Sequence, residues 1–244
     1  MSSKSKAAES ERRARSEQMK AEREAAARAS ERRTRLLIAL AVVAALILVG
    51  VAVVASQSSS GENAAVPTGV EAPGGGAPYG DAAPVVLDEW VDFACPACKT
   101  FNDALSSTIS EEVEAGELQV YYHPLSFINA GSVRAANAFG CAVDEGLTHE
   151  YYDAVFAEQG DESGDGYTNE QLVAIGDGLG AGDGFESCVN GGDYDGWVDN
   201  VTTSGADQGV TGTPTIFLNG EVVDLPSYEP QALLDAIEAA AAAE

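Results

Sequence analysis

The 244-residue chain carries 39 Asp and Glu against 13 Lys and Arg, a net charge of −26. Phosphate backbones repel so acidic a protein, which excludes a general role in nucleic-acid binding. The charge is unevenly divided: residues 1–35 hold eleven basic side chains against six Glu, whereas the region after residue 55 holds two basic against thirty-three acidic ones. We therefore expect a basic tail and an acidic body to be separate parts of the protein.

Residues 36–55 are twenty consecutive residues without a charged or strongly polar side chain. At about 1.5 Å per residue, a helix of this length spans about 30 Å, the thickness of the hydrocarbon core of a bilayer. The positive-inside rule places the basic tail, residues 1–35, in the cytoplasm and the body outside. The sequence therefore predicts a single-pass signal anchor in the cell membrane. A cleaved signal peptide ending near Ala55 is the alternative.

Residues 56–83 are rich in Ser, Gly, Ala and Pro and contain few large apolar side chains. This composition is typical of a flexible linker of roughly 30 Å end-to-end distance. Residues 84–244 remain, and their length suits one domain of ordinary size.

The elements predicted for this domain follow from hydrophobic periodicity, capping residues and turn residues. Residues from about 130 to 208 form a helical block, with N-caps expected at Ser132, Thr148 and Thr168 and a last helical stretch around Trp197. The other predicted elements are a strand over Val85–Phe93, a helix over Lys99–Glu114, a strand over Leu118–His123, a hairpin of Thr215–Leu218 and Glu221–Val223, and a helix over Gln231–Ala243. The order βαβ, helical block, ββα predicts an α/β domain with a helical insertion.

Two cysteines, Cys95 and Cys98, stand where the first predicted strand meets the first predicted helix. A sulfur at a helix N-terminus faces unpaired backbone N–H groups and the positive end of the helix dipole, which favours the thiolate. A second cysteine three residues later can resolve a mixed disulfide within the same chain. Pro96 fixes φ at the start of the helix and removes an N–H that would have no partner there. The pattern therefore predicts thiol–disulfide exchange.

The stretch from Glu89 to Cys98, together with Val210 to Thr215, resembles the DsbA-like thiol:disulfide oxidoreductases of the thioredoxin superfamily. The resemblance is strongest to the membrane-anchored members from high-GC Gram-positive bacteria, and it covers about residues 80–242. It implies a thioredoxin fold with an inserted helical domain, here preceded by a single transmembrane helix.

The resemblance also implies a role for individual residues. Cys95 would be the solvent-facing nucleophile and Cys98 the buried resolving thiol. Pro214 would be a cis-proline facing the pair, and Thr213 would present its backbone to an extended substrate.

Pro96 and Ala97 complete the expected substrate site. Ala97 stands where strongly oxidising members often carry His, so the reduction potential does not follow from the family.

Glu89 matches a buried acid that assists proton transfer to and from the resolving cysteine. An exposed strand carboxylate is the simpler reading of Glu89, and Asp88 and Asp92 are rival candidates for the acid.

The other two cysteines, Cys141 and Cys188, lie in the helical block on the predicted outer side, where disulfides persist. We expect a structural disulfide between them; two buried free thiols, or a relay that passes oxidation onward from the first pair, are the alternatives. Their 47-residue separation does not suit a four-cysteine zinc site, so no metal site and no cofactor beyond the redox-active cysteine pair is predicted.

Two further features have a structural and a functional interpretation. His123, before Pro124 at the end of a strand, is expected to be a structural histidine rather than a proton carrier. Aromatic side chains of the helical block could line a peptide groove, but their helical spacing favours core packing; they are Tyr151, Tyr152, Phe156 and Trp197.

The sequence therefore predicts an extracytoplasmic oxidoreductase that donates the Cys95–Cys98 disulfide to exported proteins with free thiols. A membrane redox partner would reoxidise the pair. A disulfide reductase or isomerase of the same fold is one alternative, and a copper or zinc carrier or other non-enzymatic binding module is another. The Pro214 context separates these classes, because ligand or staple cysteines do not need a facing cis-proline.

Overall fold

The computed structural model of the protein describes residues 61, 64–160 and 164–243. No helix in this part of the chain is long and apolar enough to cross a membrane. The predicted transmembrane segment, residues 36–55, and the basic tail lie outside the described residues. The strands are β1 (Ala77–Tyr79), β2 (Val85–Asp92), β3 (Leu118–Leu125), β4 (Thr215–Leu218) and β5 (Glu221–Val223); the α-helices are α1 (Pro96–Glu114), α2 (Ala130–Asp144), α3 (Thr148–Ala157), α4 (Asn169–Leu179), α5 (Phe185–Gly191), α6 (Asp195–Asp207) and α7 (Pro230–Ala241).

The strands form one mixed sheet in the order β1-β3-β2-β4-β5. β2 and β3 are parallel and joined by α1, whereas β4 runs antiparallel to β2 and forms a hairpin with β5. Helices α2 to α6 come between β3 and β4 along the chain. The predicted order βαβ, helical block, ββα is therefore confirmed, and β2 is the central strand from which α1 departs.

Local sequence signals explain where several helices begin. Thr168 caps α4 and forms a reciprocal capping box with Gln171, as the sequence predicts. Ser132 is not the N-cap of α2, which is a correction: Asn129 is the N-cap, and Ser132 stands three residues later and completes the capping box. The short helix α5 has no sequence signal of its own, because seven residues between glycines show no clear helical period.

A cluster of aromatic rings joins the sheet to the helical insertion. Tyr122 of β3 stacks on Tyr152 of α3 at a centroid distance of 4.1 Å, and Phe93, Phe139 and Phe156 surround the Tyr152 ring at 5.0 to 5.9 Å. All five side chains are buried. The sheet and the insertion therefore share one hydrophobic core, and burial of such large rings is a major source of stability.

The predicted flexible linker over residues 56–83 is wrong for its C-terminal part. Ala77–Tyr79 forms strand β1 against the outer edge of β3, and the side chain of Val70 is buried. Trp197 donates its indole N–H to the carbonyl of Gly75 at 2.9 Å. A Cβ on Gly76 would stand 2.7 Å from the His123 ring. Gly75 and Gly76, which in the sequence resemble part of a flexible spacer, therefore permit close packing of the backbone against the domain.

Within the insertion, Cys141 of α2 and Cys188 of α5 are joined by a disulfide across a sequence separation of 47 residues. Nearby, Asn137 donates to the carbonyl of Val189 and accepts from the backbone N–H of Tyr194. The disulfide and these hydrogen bonds link α2 to α5 and to the start of α6.

Candidate active site

The turn between β2 and α1 places two free thiols at the start of a helix. Cys95 is the N-cap of α1, with Pro96 as the first helical residue. The side chain of Cys95 is 8 % exposed and that of Cys98 is fully buried, whereas Pro96 and Ala97 are exposed beside them. Only the first sulfur is therefore placed to meet another molecule.

The pKa values of the two thiols are shifted in opposite directions. A hydrogen bond from the Cys98 thiol, assisted by the backbone N–H groups of Ala97 and Cys98, outweighs burial and lowers the pKa of Cys95 to about 6. Burial, together with the neighbouring Cys95, raises the pKa of Cys98 far above its ordinary range. Near neutral pH the pair therefore holds a thiolate at Cys95 and a proton at Cys98.

The segment before β4 faces this pair. The peptide bond between Thr213 and Pro214 is cis. The Cys95 Sγ lies 3.4 Å from the carbonyl oxygen of Thr213, to which the thiol form donates. The structure therefore brings Thr213 and Pro214, distant in sequence, against the reactive sulfur.

Glu89 of β2 is a buried acid and not an exposed strand carboxylate. Its side chain is 1 % exposed, and its Oε1 accepts a 2.6 Å hydrogen bond from the Tyr152 hydroxyl. Burial dominates over this hydrogen bond and raises the pKa of Glu89 to about 8 from an ordinary value of 4.5, with a further increase from the charge of Asp153. A carboxyl group with this pKa can give up or accept a proton near neutral pH.

The two rival carboxylates have other partners. Asp88 lies on the opposite face of β2 from Glu89 and contacts the His123 Nε2 at 2.8 Å. Asp92 is buried and accepts hydrogen bonds from the Ser132 hydroxyl at 2.6 Å and from the backbone N–H groups of Ala94, Phe127 and Ile128. Asp92 therefore connects the dithiol turn to the start of α2.

His123 and the aromatic side chains have the structural positions that the sequence analysis favours. His123 stacks on Trp90 at 4.0 Å, on the face of the sheet opposite Glu89. The four residues considered as a possible groove are all buried: Tyr151, Tyr152, Phe156 and Trp197.

Two residues of the insertion contribute to this site without any signal in the sequence. Gln159, just after α3, donates from its Nε2 to the carbonyls of Phe93 and Cys95 at 2.6 and 3.1 Å. Tyr152 holds Glu89. A polar residue at a helix end and a tyrosine at core spacing carry no local signal of such long-range contacts.

A mixed sheet with a Cys-X-X-Cys pair at the first helix and a facing cis-proline defines a thioredoxin-fold domain. A family model described as "Thioredoxin" matches residues 75–239, well over half of the chain. The chain therefore belongs to this thioredoxin family.

Relatives within the family carry names from disulfide chemistry. The "Probable disulfide bond formation protein D" of Bacillus anthracis is 32% identical over 99 residues, a match that covers 39% of this chain and only 45% of that protein. The solved "disulfide bond oxidoreductase (DsbG)" from Mycobacterium tuberculosis is 25% identical with a TM-score of 0.57, over 75% of this chain and 90% of that one. BdbD from Bacillus subtilis, at 21% identity and a TM-score of 0.62, covers 74% and 100% and shows the likeness of fold.

Proposed function

We propose that the protein is an extracytoplasmic thiol:disulfide oxidoreductase that donates a Cys95–Cys98 disulfide to exported proteins. The observation that carries this proposal is the asymmetry of the pair, with an accessible sulfur of pKa about 6 above a buried thiol of raised pKa. Two metal ligands or two halves of a structural staple would need no such difference. The names of the relatives support the same chemistry.

The reaction begins from the oxidised pair. A substrate thiolate attacks the Sγ of Cys95, the bond between Cys95 and Cys98 breaks, and Cys98 leaves with the electron pair and takes up a proton. A second substrate thiolate then attacks the substrate sulfur of the mixed disulfide, and Cys95 leaves as a thiolate. The substrate dithiol is oxidised and the protein dithiol is produced.

Individual residues have roles in this sequence. Thr213 and Pro214 would align an extended substrate beside Cys95, with Pro96 and Ala97 exposed on the other side of the sulfur. Glu89 would supply the proton to Cys98. Return to the disulfide needs an oxidant, which we propose to be a disulfide of a membrane redox partner.

The extracytoplasmic location is part of the proposal. The basic residues before the apolar segment 36–55 favour it, and so does the Cys141–Cys188 disulfide, because such bonds persist in oxidising compartments. No cofactor is needed, since the cysteine pair itself carries the electrons.

The reduction potential of the Cys95–Cys98 pair tests the direction of the reaction. Equilibration with glutathione buffers, read by mass spectrometry of alkylated protein, gives the potential. We expect a value nearer to about −120 mV than to about −270 mV, because a stabilised Cys95 thiolate favours the reduced form. A value near −270 mV would instead identify a reductase. If the oxidised protein fails to form disulfides in a reduced, unfolded substrate, the proposed disulfide donation is contradicted whatever the potential.

A further inference from the structure

Glu89 has one hydrogen-bond partner in the described part of the chain. Tyr152 donates to its Oε1 at 2.6 Å, and the Oε2 has no partner there. No Lys, Arg or His among the described residues pairs with Glu89, and Lys99 is occupied by Asp103 and the carbonyl of Phe156. The ionised form of Glu89 therefore depends on a single neutral donor.

Tyr152 is held rigidly in the position from which it donates. Its ring stacks on Tyr122 at 4.1 Å and meets Phe93 and Phe156 edge-on at 5.6 and 5.0 Å. The charge of Cys98 contributes to the raised pKa of Tyr152, although burial and the charge of Glu89 are larger causes. Tyr152 therefore contacts Glu89 directly and interacts electrostatically with the resolving cysteine.

We propose that Tyr152, supplied by the helical insertion, is a positioning residue that holds Glu89 for proton exchange with Cys98. The inference rests on the proposed function and deepens it. When Cys98 leaves as a thiolate, the protonated carboxyl of Glu89 gives it a proton and becomes a carboxylate that accepts the Tyr152 hydrogen bond. When Cys98 must attack, the carboxylate takes the proton back. The insertion would thus take part in the redox chemistry of the domain into which it is inserted.

The titratable groups around Glu89 and Tyr152 belong to three elements. Tyr122 of β3 is the cross-strand neighbour of Glu89, and Asp153 and Tyr152 come from α3. Cys98 of α1 acts on Tyr152. On β4 the neighbour in register is Ile216, which does not titrate. Burial and the charge of Asp153 favour the protonated acid, whereas Tyr152 alone favours the carboxylate. Loss of its hydroxyl should therefore move proton exchange to higher pH.

The test follows attack by Cys98 directly. Reduced protein reacts with 5,5′-dithiobis(2-nitrobenzoate): the Cys95 thiolate displaces one thionitrobenzoate and keeps the other in a mixed disulfide. Cys98 then loses its proton, attacks the Cys95 sulfur and releases the second thionitrobenzoate. The rate of the second release is measured from pH 6 to 10 for the wild type, Tyr152→Phe and the matched control Tyr151→Phe. The Tyr151 hydroxyl is also buried, but it donates to the carbonyl of Leu172.

We expect the wild-type rate to rise with a midpoint near the pKa of Glu89, about 8. Tyr152→Phe should move the midpoint upward by about one pH unit, which slows the second release about tenfold at pH 7. Tyr151→Phe should leave the midpoint unchanged. In a Glu89→Gln background, Tyr152→Phe should cause no further shift. An unshifted profile for Tyr152→Phe, or a shift that persists without Glu89, would overturn the inference.

A second variant covers the case in which Tyr152→Phe does not fold. Replacement of Tyr152 by 3,5-difluorotyrosine keeps the ring and the hydroxyl but makes the hydroxyl a stronger donor, so the midpoint should move to lower pH. An unchanged midpoint would contradict the inference. A wild-type protein that gives the first release but never the second would contradict the proposed function itself, which is a distinct outcome.

Discussion

The two cysteine pairs consist of the same residue type and have opposite environments. Cys95 and Cys98 are three residues apart at a helix N-terminus, and the structure holds them as free thiols of unequal acidity. Cys141 and Cys188 are separated by 47 residues and join two helices of the insertion. The Cys95 sulfur faces the segment of the cis-proline, whereas Cys141 is buried and Cys188 half-buried, and their two sulfurs are bonded to each other. Placement therefore determines whether a cysteine pair is reactive or structural.

The first prediction concerns the reactive pair, Cys95 and Cys98, and has the largest expected effect, a complete loss of disulfide donation. Cys98→Ser should abolish disulfide donation, because the Cys95–Cys98 disulfide cannot form without Cys98. The Cys95 thiolate can still attack a disulfide of a substrate protein, which forms a mixed disulfide and releases one substrate thiolate, and no Cys98 remains to resolve it. Covalent complexes with disulfide-bearing substrate proteins should therefore accumulate on non-reducing gels. Ala97→Ser, at the exposed neighbouring position, serves as the control and should accumulate none. A folded Cys98→Ser protein without trapped complexes would contradict the exchange mechanism.

The second prediction concerns the structural pair. Replacement of both Cys141 and Cys188 by Ala should lower the free energy of unfolding by about 4 kcal/mol, the chain-entropy estimate for a loop of this length. Urea unfolding of the oxidised proteins measures the change. The rate of disulfide exchange at Cys95 should stay the same. Loss of exchange with unchanged stability would instead indicate a relay between the pairs.

The third prediction concerns acidity. The rate of Cys95 alkylation by iodoacetamide should rise with pH and level off above a midpoint near pH 6, because only the thiolate reacts. The hydrogen bonds to the Cys95 sulfur lower its pKa by more than burial raises it. Cys98→Ala should raise the midpoint, since the Cys98 thiol is the largest cause of the low pKa. Mass spectrometry after timed quenching gives the rates. A wild-type midpoint near 9 would remove the asymmetry on which the proposed function depends.

The smallest expected effect is that of salt. The region after residue 55 has only Lys99 and Arg134 against thirty-three acidic residues, so screening should relieve self-repulsion. Between about 0.1 and 1 M salt the Debye length falls from about 10 to 3 Å, and the melting temperature should rise. The increase should be equal with and without the Cys141–Cys188 bond. A flat response would reject an acidic surface adapted to a salty exterior.

Much of the fold could be predicted because its signals are local. Apolar β-branched residues predict β2, and the predicted hairpin strands Thr215–Leu218 and Glu221–Val223 agree with β4 and β5 at every boundary. The turn residues Asn219 and Gly220 both have positive φ, as a tight hairpin requires. Strand β1 could not be predicted, because three residues between Gly76 and Gly80, one of them a proline, become a strand only through the edge of β3.

The candidate site likewise contains residues with a local sequence signal and residues that only the three-dimensional contacts identify. Cys95, Cys98 and Pro214 belong to short motifs that are recognisable in the sequence. The choice among Asp88, Glu89 and Asp92 needed the structure, because alternation along a strand does not say which face lies beneath α1. The contacts of Tyr152 and Gln159 arise from residues more than sixty positions away in the chain and leave no local pattern.

Strand β1 also changes where the folded domain begins. Its residues pair with Val120 to Tyr122 on the outer edge of β3, so a fragment that starts at residue 84 would leave that edge without a partner. An unpaired edge is a template on which other extended chains can add a strand. The proposed substrates are unfolded polypeptides, rich in such chains. The segment that resembles a spacer would therefore protect the sheet from capture by the molecules that the active site is proposed to oxidise.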